Sequence, residues 1–408
     1  MKCRHCKAEL ILRFIDLETA PPSNAYLTKA ELKAPEKWFP LRVIVCTNCY
    51  LAQTEDYAGA GELFAPDYAY FSSYSTTWLT HAKEYVAKME ERFSLNRNSM
   101  AVEIAANDGY LLQYVKERGI PCYGVEPTAS TALAARAKGI DIIEEFFGVF
   151  LAERLAKEGR QADLIAANNV LAHVPDINDF VSGFAGLLKP RGVATFEFPH
   201  LLRMVEKNQF DTIYHEHYSY LSLTVVSRIF EHNGLSVFDV EELPTHGGSL
   251  RVFAQRENSG AHVVTPRVAE MLTREGVAGM LTEAFYGGFQ EKAEKVKDDF
   301  LVFLIDAKKA GKKVAAYGAA AKGNTLLNYA GVRRDLIPYV ADRNPAKQGK
   351  FLPGSRIPIV HPDKIKQTKP EYVFILPWNV KEEIMEQLSF VRQWGGKFSI
   401  AVPGVRVL

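Results

Sequence analysis

The chain has 408 residues, of which 47% are hydrophobic and 24% charged, with a formal net charge of +1. That length predicts two or three domains, and the composition is that of an ordinary globular protein. The near-neutral charge argues against nucleic acid or an anionic membrane as a bulk partner, and the apolar runs are strand-length, far too short to span a bilayer.

At the N-terminal end, Cys3/Cys6 and Cys46/Cys49 make two C-x-x-C pairs, leaving only Cys122 outside them. Thiolates paired this way predict a closed tetrahedral zinc site. Four protein ligands leave no open coordination position, so the metal is expected to be structural. The gap of roughly 40 residues is wider than the tightest zinc patterns. A disulfide pairing fits less well. No signal peptide is read at the start of the chain, so the expected compartment is the reducing cytoplasm. The zinc module is expected over residues 1–66. It includes a strand-like run at 41–45 and a turn-rich stretch, 20–24, whose two prolines exclude a helix.

A helix is predicted over 78–93. Then follows the alternation of a parallel sheet. Strands are expected at 101–105, 122–126, 140–144, 163–168 and 192–198. Helices are expected at 110–118, 131–138, 177–188 and 223–233. Segments 235–241 and 249–255 read as a closing antiparallel pair. A helical stretch over 265–309 links this unit to another. There, strands at 312–318, 338–342 and 372–376 alternate with helices at 319–328 and from Lys381. The fold class is therefore α/β. A small zinc-binding module precedes a middle Rossmann-like domain, 67–257. A helical linker and a smaller Rossmann-like α/β domain occupy 258–408.

The turn after the strand at 101–105 carries Glu103, Asn107, Asp108 and Gly109, and Glu126 ends the next strand. A carboxylate in that second position accepts hydrogen bonds from the ribose hydroxyls of an adenosine. The pattern suits a dinucleotide or S-adenosylmethionine. The loop lacks the glycine bed of G-x-G-x-x-G, and its polar groups suit an amino-acid ammonium and carboxylate, which favours S-adenosylmethionine. Ala105 stands where a glycine is common, and the extra methyl is tolerated if that residue is extended, with φ < 0.

The densest chemistry lies at 214–218, where Tyr214, His215, Glu216, His217 and Tyr218 are consecutive. The histidine spacing is not the i, i+4 pattern of a helical zinc protease. A polar cluster capping the sheet remains one reading. A general base working near neutral pH is the other, with Glu216 beside it and Tyr214 able to hydrogen-bond an enolate oxygen. His173 follows a strand and His246 precedes two glycines, so both belong to the same candidate region.

Taken in order, these segments resemble the three-domain nucleotide-sugar C-methyltransferases. The likeness runs through both C-x-x-C pairs, P-P-S-N-x-Y at 21–26 and Y-x-Y-x-S-S at 68–73. It continues through E-x-x-x-N-D-G at 103–109, E-P at 126–127, F-F at 146–147 and H-V-P at 173–175. Y-x-E-H at 214–217, H-G-G at 246–248 and Y-G-A-x-A-K at 317–322 complete it. The resemblance implies methyl transfer from S-adenosylmethionine to carbon 3 of a nucleotide-linked 4-keto deoxysugar, through an enolate. It implies His217 as base with Glu216 and Tyr214 beside it, and Tyr70 and His173 in the sugar pocket. Glu103, Asn107, Gly109, Glu126, Phe146, Phe147 and Asn168 would hold the cofactor. His246, Lys322 and Asn324 would meet the substrate, Lys322 facing the diphosphate. The implied zinc is structural, on Cys3, Cys6, Cys46 and Cys49. A monomer with no nucleic-acid or membrane partner is expected. His215 departs from the motif, which leaves open whether it or His217 is the base.

Overall fold

The computed structural model describes residues 1–57, 59 and 71–408. In the zinc module, β1 (Leu12–Ala20), β2 (Phe39–Val45) and β3 (Ala52–Thr54) pair antiparallel in that order. β2 alternates buried and half-buried residues, the period-2 pattern of a sheet with one covered face.

The middle domain is built on β4 (Ala101–Ile104), β5 (Cys122–Val125), β6 (Asp141–Ile143), β7 (Ala162–Asn168) and β8 (Leu188–Pro199). These strands are parallel and give the order β6-β5-β4-β7-β8. Central strands covered on both faces read as continuous apolar runs, and every residue of β4 is buried. The next strand along the chain, β9 (Ser219–Tyr220), leaves this sheet. It pairs with β3 and becomes the fourth strand of the zinc-module sheet. The sequence reading has no strand there. β10 (Leu235–Leu243) and β11 (Ser249–Arg256) form the expected antiparallel pair, with β11 against β8. Side chains start several helices: Ser75 Oγ accepts from Trp78 N, and Asp176 Oδ1 from Asp179 N.

The stretch predicted as helical over 265–309 is three helices, Pro266–Val277, Glu283–Tyr286 and Phe289–Lys309. Gly279 and Gly288 sit at the breaks with φ of 84° and 74°, conformations a helix does not contain. The first of the three packs on the middle domain through Val268 and Met271. The last carries the C-terminal sheet. There β12 (Val314–Tyr317), β13 (Val340–Ala341), β14 (Ile359–Val360), β15 (Tyr372–Ile375) and β16 (Lys397–Ile400) are parallel, and β17 (Arg406–Val407) is antiparallel. The order is β14-β13-β12-β15-β16-β17.

The three regions share their apolar interiors. One core joins Phe14, Leu17 and Val43 of the zinc module to Phe210 and Ile213, to Phe300 and to Leu326 and Phe374. Phe14 stacks on Phe289 with centroids 4.7 Å apart. Burying one such ring contributes about 1.5–3 kcal/mol. The zinc module is therefore wedged between the two sheet domains. No helix among the described residues is long and apolar enough to cross a membrane.

Candidate active site

Open α/β sheets bind ligands outside the carboxyl ends of their strands, where the strand order reverses. In the middle domain that point lies between β4 and β7. The turn after β4 has Ala105 at φ 60°, Asn107 at φ 49° and Gly109 at φ 74°. Ala105 is thus left-handed and not extended, so the condition under which its methyl is tolerated without strain is not met. A glycine-like conformation is kept there at a cost of about 1–2 kcal/mol. At Gly109 a Cβ would lie 2.4 Å from Ile140 Cδ1, so this position requires glycine for space as well as for φ. Glu126 braces the turn. Its Oε2 accepts from Asn107 N and its Oε1 from Thr128 N, both at 2.9 Å. Oε1 accepts from the Thr128 hydroxyl as well, so Oε2 is the oxygen that keeps acceptor capacity for a ligand.

Glu103 is fully buried, and among the described residues its carboxylate has only the Tyr110 hydroxyl and the Leu112 backbone N–H near it as donors. Burial pushes its carboxyl well above the usual carboxylate range. Asp108 Oδ1 and Asn168 Oδ1 are buried without a donor among the described residues. Two buried acceptors without a donor, beside the Glu103 carboxyl at the switch point, fit a hydrogen-bond-donating ligand such as an amino-acid ammonium. The two phenylalanines differ. Phe146 is 57% exposed on the rim, whereas Phe147 packs edge-on against Phe180 and Phe184.

The histidine segment lies where all three regions meet. His215 points toward the zinc module, where its Nε2–H donates to the Pro40 carbonyl at 3.1 Å and its ring packs against Phe39. His217 points the other way. Its Nδ1–H donates to the Thr212 carbonyl at 2.8 Å, which leaves Nε2 as the acceptor. The Tyr214 hydroxyl donates to that Nε2 at 2.8 Å. The His173 ring lies edge-on to His217 at 4.6 Å. Burial holds both imidazoles neutral: His217 falls well below its ordinary value and His173 falls to about 4. Glu216 is buried between loops. Its Oε1 accepts from Asn24 N and Asn24 Nδ2, and burial raises its carboxyl. Tyr70 lies outside the described residues.

The C-terminal domain closes the far side. Lys322 donates to Asn379 Oδ1 at 2.6 Å and lies over the Trp378 ring. Burial lowers its ammonium, which in turn acts on His217 and His246. Trp378 Nε1 donates to Asp211, whose carboxyl is pushed by burial to about 6. His246 has φ 52° and accepts at Nε2 from Asn169 Nδ2, and burial lowers it to about 4. At Gly247 a Cβ would lie 2.6 Å from Trp378, so the glycine lets the two domains touch. Asn324 donates to the Ser23 carbonyl at 2.6 Å and clasps the Pro-Pro-Ser-Asn turn. Sequence reasoning missed Asp211, Trp378, Trp78 and the buried Glu197–Arg251–His81 cluster beneath His246. They come from distant segments, and no local pattern marks them. The role of Asn24 had a signal, the Pro-Pro-Ser-Asn stretch, that was read only as a turn and as part of the resemblance.

The four N-terminal cysteines converge, with all Sγ atoms within 4.8 Å of one another. Cys3–Cys49 and Cys6–Cys46 stand 3.6 and 3.5 Å apart, close to the edge of about 3.8 Å expected for a tetrahedron with Zn–S bonds of about 2.3 Å. All four are free thiols. The donor set fits zinc.

Three family models match in succession: a zinc binding domain over 3–64, a methyltransferase domain over 78–240 and a C-methyltransferase C-terminal domain over 244–403. The chain is 34% identical over 407 residues to C-methyltransferase NovU of Streptomyces niveus, covering 100% of this chain and 96% of that protein. The chain belongs to this C-methyltransferase family. It is an S-adenosylmethionine-dependent methyltransferase with the zinc module, middle sheet and C-terminal sheet that the family models mark in order. Among solved structures, the C-methyltransferase is similar to magnesium protoporphyrin IX methyltransferase from Synechocystis PCC 6803 (TM-score 0.34, 16% identity, 44% of this chain and 79% of that one). It is also similar to the PH0226 protein from Pyrococcus horikoshii OT3 (TM-score 0.39, 13% identity, 49% and 100%).

Proposed function

We propose that this C-methyltransferase methylates carbon 3 of a nucleotide-linked 4-keto deoxysugar, with His217 as the general base. The observation that carries this reading is the hydrogen bonding of His217. Its Nδ1–H is committed to Thr212, so the neutral ring presents an Nε2 lone pair, and Tyr214 is within 2.8 Å of it. The ketone acidifies the carbon-3 hydrogen. Nε2 takes that proton, and the bonding pair moves onto the carbonyl oxygen as an enolate. The Thr212 carbonyl stabilises the imidazolium that forms. Tyr214, relieved of Nε2, can donate to the enolate oxygen, with His173 alongside. Bound S-adenosylmethionine would supply an electrophilic methyl on sulfonium, the enolate's electron pair forming the new carbon–carbon bond as the methyl–sulfur pair departs with S-adenosylhomocysteine. Glu126 would receive the ribose, and Glu103 with Asn107 and Asn168 the amino-acid end.

The reading for the nucleotide rests on the C-terminal domain. A crevice of about 170 Å³ at the carboxyl ends of β12 and β13 is lined by Tyr317, Asp342, Arg343 and Lys347, and on the other side by Phe71 and Ser72. Arg343, Lys347 and Lys322, with the N-terminal end of the helix Ala321–Tyr329, suit a diphosphate.

The test is deuterium exchange at carbon 3 of a 4-keto nucleotide sugar in D2O without methyl donor. Wild-type enzyme should exchange that hydrogen, and His217→Asn should not. Exchange by the variant at the wild-type rate removes His217 from the role.

A further inference from the structure

We infer that Arg4, inside the first zinc knuckle, is a positioning residue for His217, an inference that rests on the reading of His217 as the base. Arg4 lies between the zinc-ligand candidates Cys3 and Cys6, and its side chain is 3% exposed. Its five N–H donors find five acceptors. Nε donates to the Tyr218 carbonyl at 3.2 Å. One terminal nitrogen donates to the Pro175 carbonyl at 3.3 Å and to Asp56 at 3.1 Å. The other donates to the Thr54 carbonyl at 2.8 Å and again to Asp56. The guanidinium also lies over the Tyr218 ring at 4.7 Å.

Tyr218 follows His217, and Pro175 stands two residues after His173. One planar cation therefore ties together the loops that carry the two facing imidazoles. The zinc-module sheet reinforces the tie. Thr54 Oγ1 donates to the His217 carbonyl at 3.0 Å, Thr54 N donates to the Tyr218 carbonyl, and β9 continues from that point as a strand beside β3. The knuckle end is equally fixed. Arg4 N donates to Gln53 Oε1, and Gln53 Nε2 donates to Cys3 Sγ. The cysteine knuckle, which bound zinc would make rigid, thus reaches the His217 loop through the Arg4 guanidinium, with Thr54 beside it. Lysine cannot replace it, because three donors on one nitrogen do not span three carbonyls in different directions.

The experiment compares Arg4→Lys, Arg4→Ala and Asp56→Asn with wild type. Asp56 is the exposed partner of the pair, so Asp56→Asn keeps the three carbonyl bonds and should keep wild-type kcat. Both Arg4 variants should retain about one zinc per chain and bind S-adenosylhomocysteine with wild-type stoichiometry. Their kcat should fall about 10- to 100-fold while KM for the sugar moves little, as expected for a misplaced base. Amide hydrogen exchange over 214–220 should quicken about tenfold while that of β4 and β7 does not change. If Arg4→Ala fails to fold, Thr54→Val, which removes the bond to the His217 carbonyl, takes its place with the same expected direction. Wild-type kcat in Arg4→Lys, or unchanged amide exchange over 214–220, would overturn the inference. Wild-type enzyme inactive on every keto sugar would instead sink the reading of the reaction. The exchange measurement needs no substrate and still decides whether Arg4 holds the loop.

Discussion

The cofactor turn after β4 and the histidine segment at 214–217 are built in opposite ways. The first is made by neighbours in sequence. A strand, a left-handed turn and a helix supply its shape, and Glu126 braces it from the next strand. The second has no regular structure of its own. Thr325 of the C-terminal domain donates to the Ile213 carbonyl at 2.7 Å, Asn24 reaches Glu216, and Pro40 and Thr54 receive or hold the rest. A binding site for an invariant cofactor suits a self-contained turn. On the proposed reading, a site that gathers a base, a sugar and a diphosphate suits the junction of three domains.

That contrast is open to direct attack. The largest effect should come from His217→Asn, which should lower methylation by about 10²–10⁴-fold and leave S-adenosylhomocysteine affinity unchanged, read by calorimetry. Gly109→Ala should do the reverse. It places a methyl into Ile140 at a left-handed position, so it should weaken S-adenosylhomocysteine binding and destabilise the middle domain by about 1–3 kcal/mol in urea unfolding. Amide exchange at 214–220 should stay near wild type in that variant, and a large change there would erase the distinction.

Acid should strike the buried histidines around the 214–217 segment first. His173 and His246 are held at about 4 in the folded protein, against about 6.5 when unfolded. The unfolded chain therefore binds more protons between these values. Their contribution to stability is complete above about pH 6.5 and is lost as pH falls toward 4. Unfolding midpoints in urea should decline over that window, and His217, the proposed base, should stay neutral at pH 6. The smallest effect should be Ala105→Gly. Relief of left-handed strain offsets the added freedom of glycine in the unfolded chain, so stability should rise by at most about 1 kcal/mol, seen as a small rise in melting temperature.

Much of the fold was legible because it is local. The β-α alternation of the middle domain, the antiparallel pair at its end and the cysteine pairs all follow from patterns within a few residues of one another. The stretch expected as helical over 265–309 is helical but divided where Gly279 and Gly288 take left-handed conformations, a break that apolar spacing does not reveal. The left-handed φ of Ala105 was not legible for the related reason that an alanine carries no mark of the φ imposed on it. At the candidate site, Tyr214, Glu216 and His217 could be chosen by residue type alone, but His215 and His217 could not be told apart until their rings were seen to face opposite ways.

By itself, then, the sequence determined most element types, the four cysteines that converge and the candidate side chains of the site, since each depends on short-range periodicity or on side-chain chemistry. Tertiary structure alone decided that β9 joins the zinc-module sheet, that Arg4 and Asn24 reach the histidine segment, and that Trp378 and Lys322 close over it. The bonds of Arg4, Asn24 and Trp378 link residues 214, 192 and 167 positions apart in the chain. They exist only because apolar surfaces of three regions are buried in shared cores, and no window of sequence contains the partners of a bond that long-range packing creates.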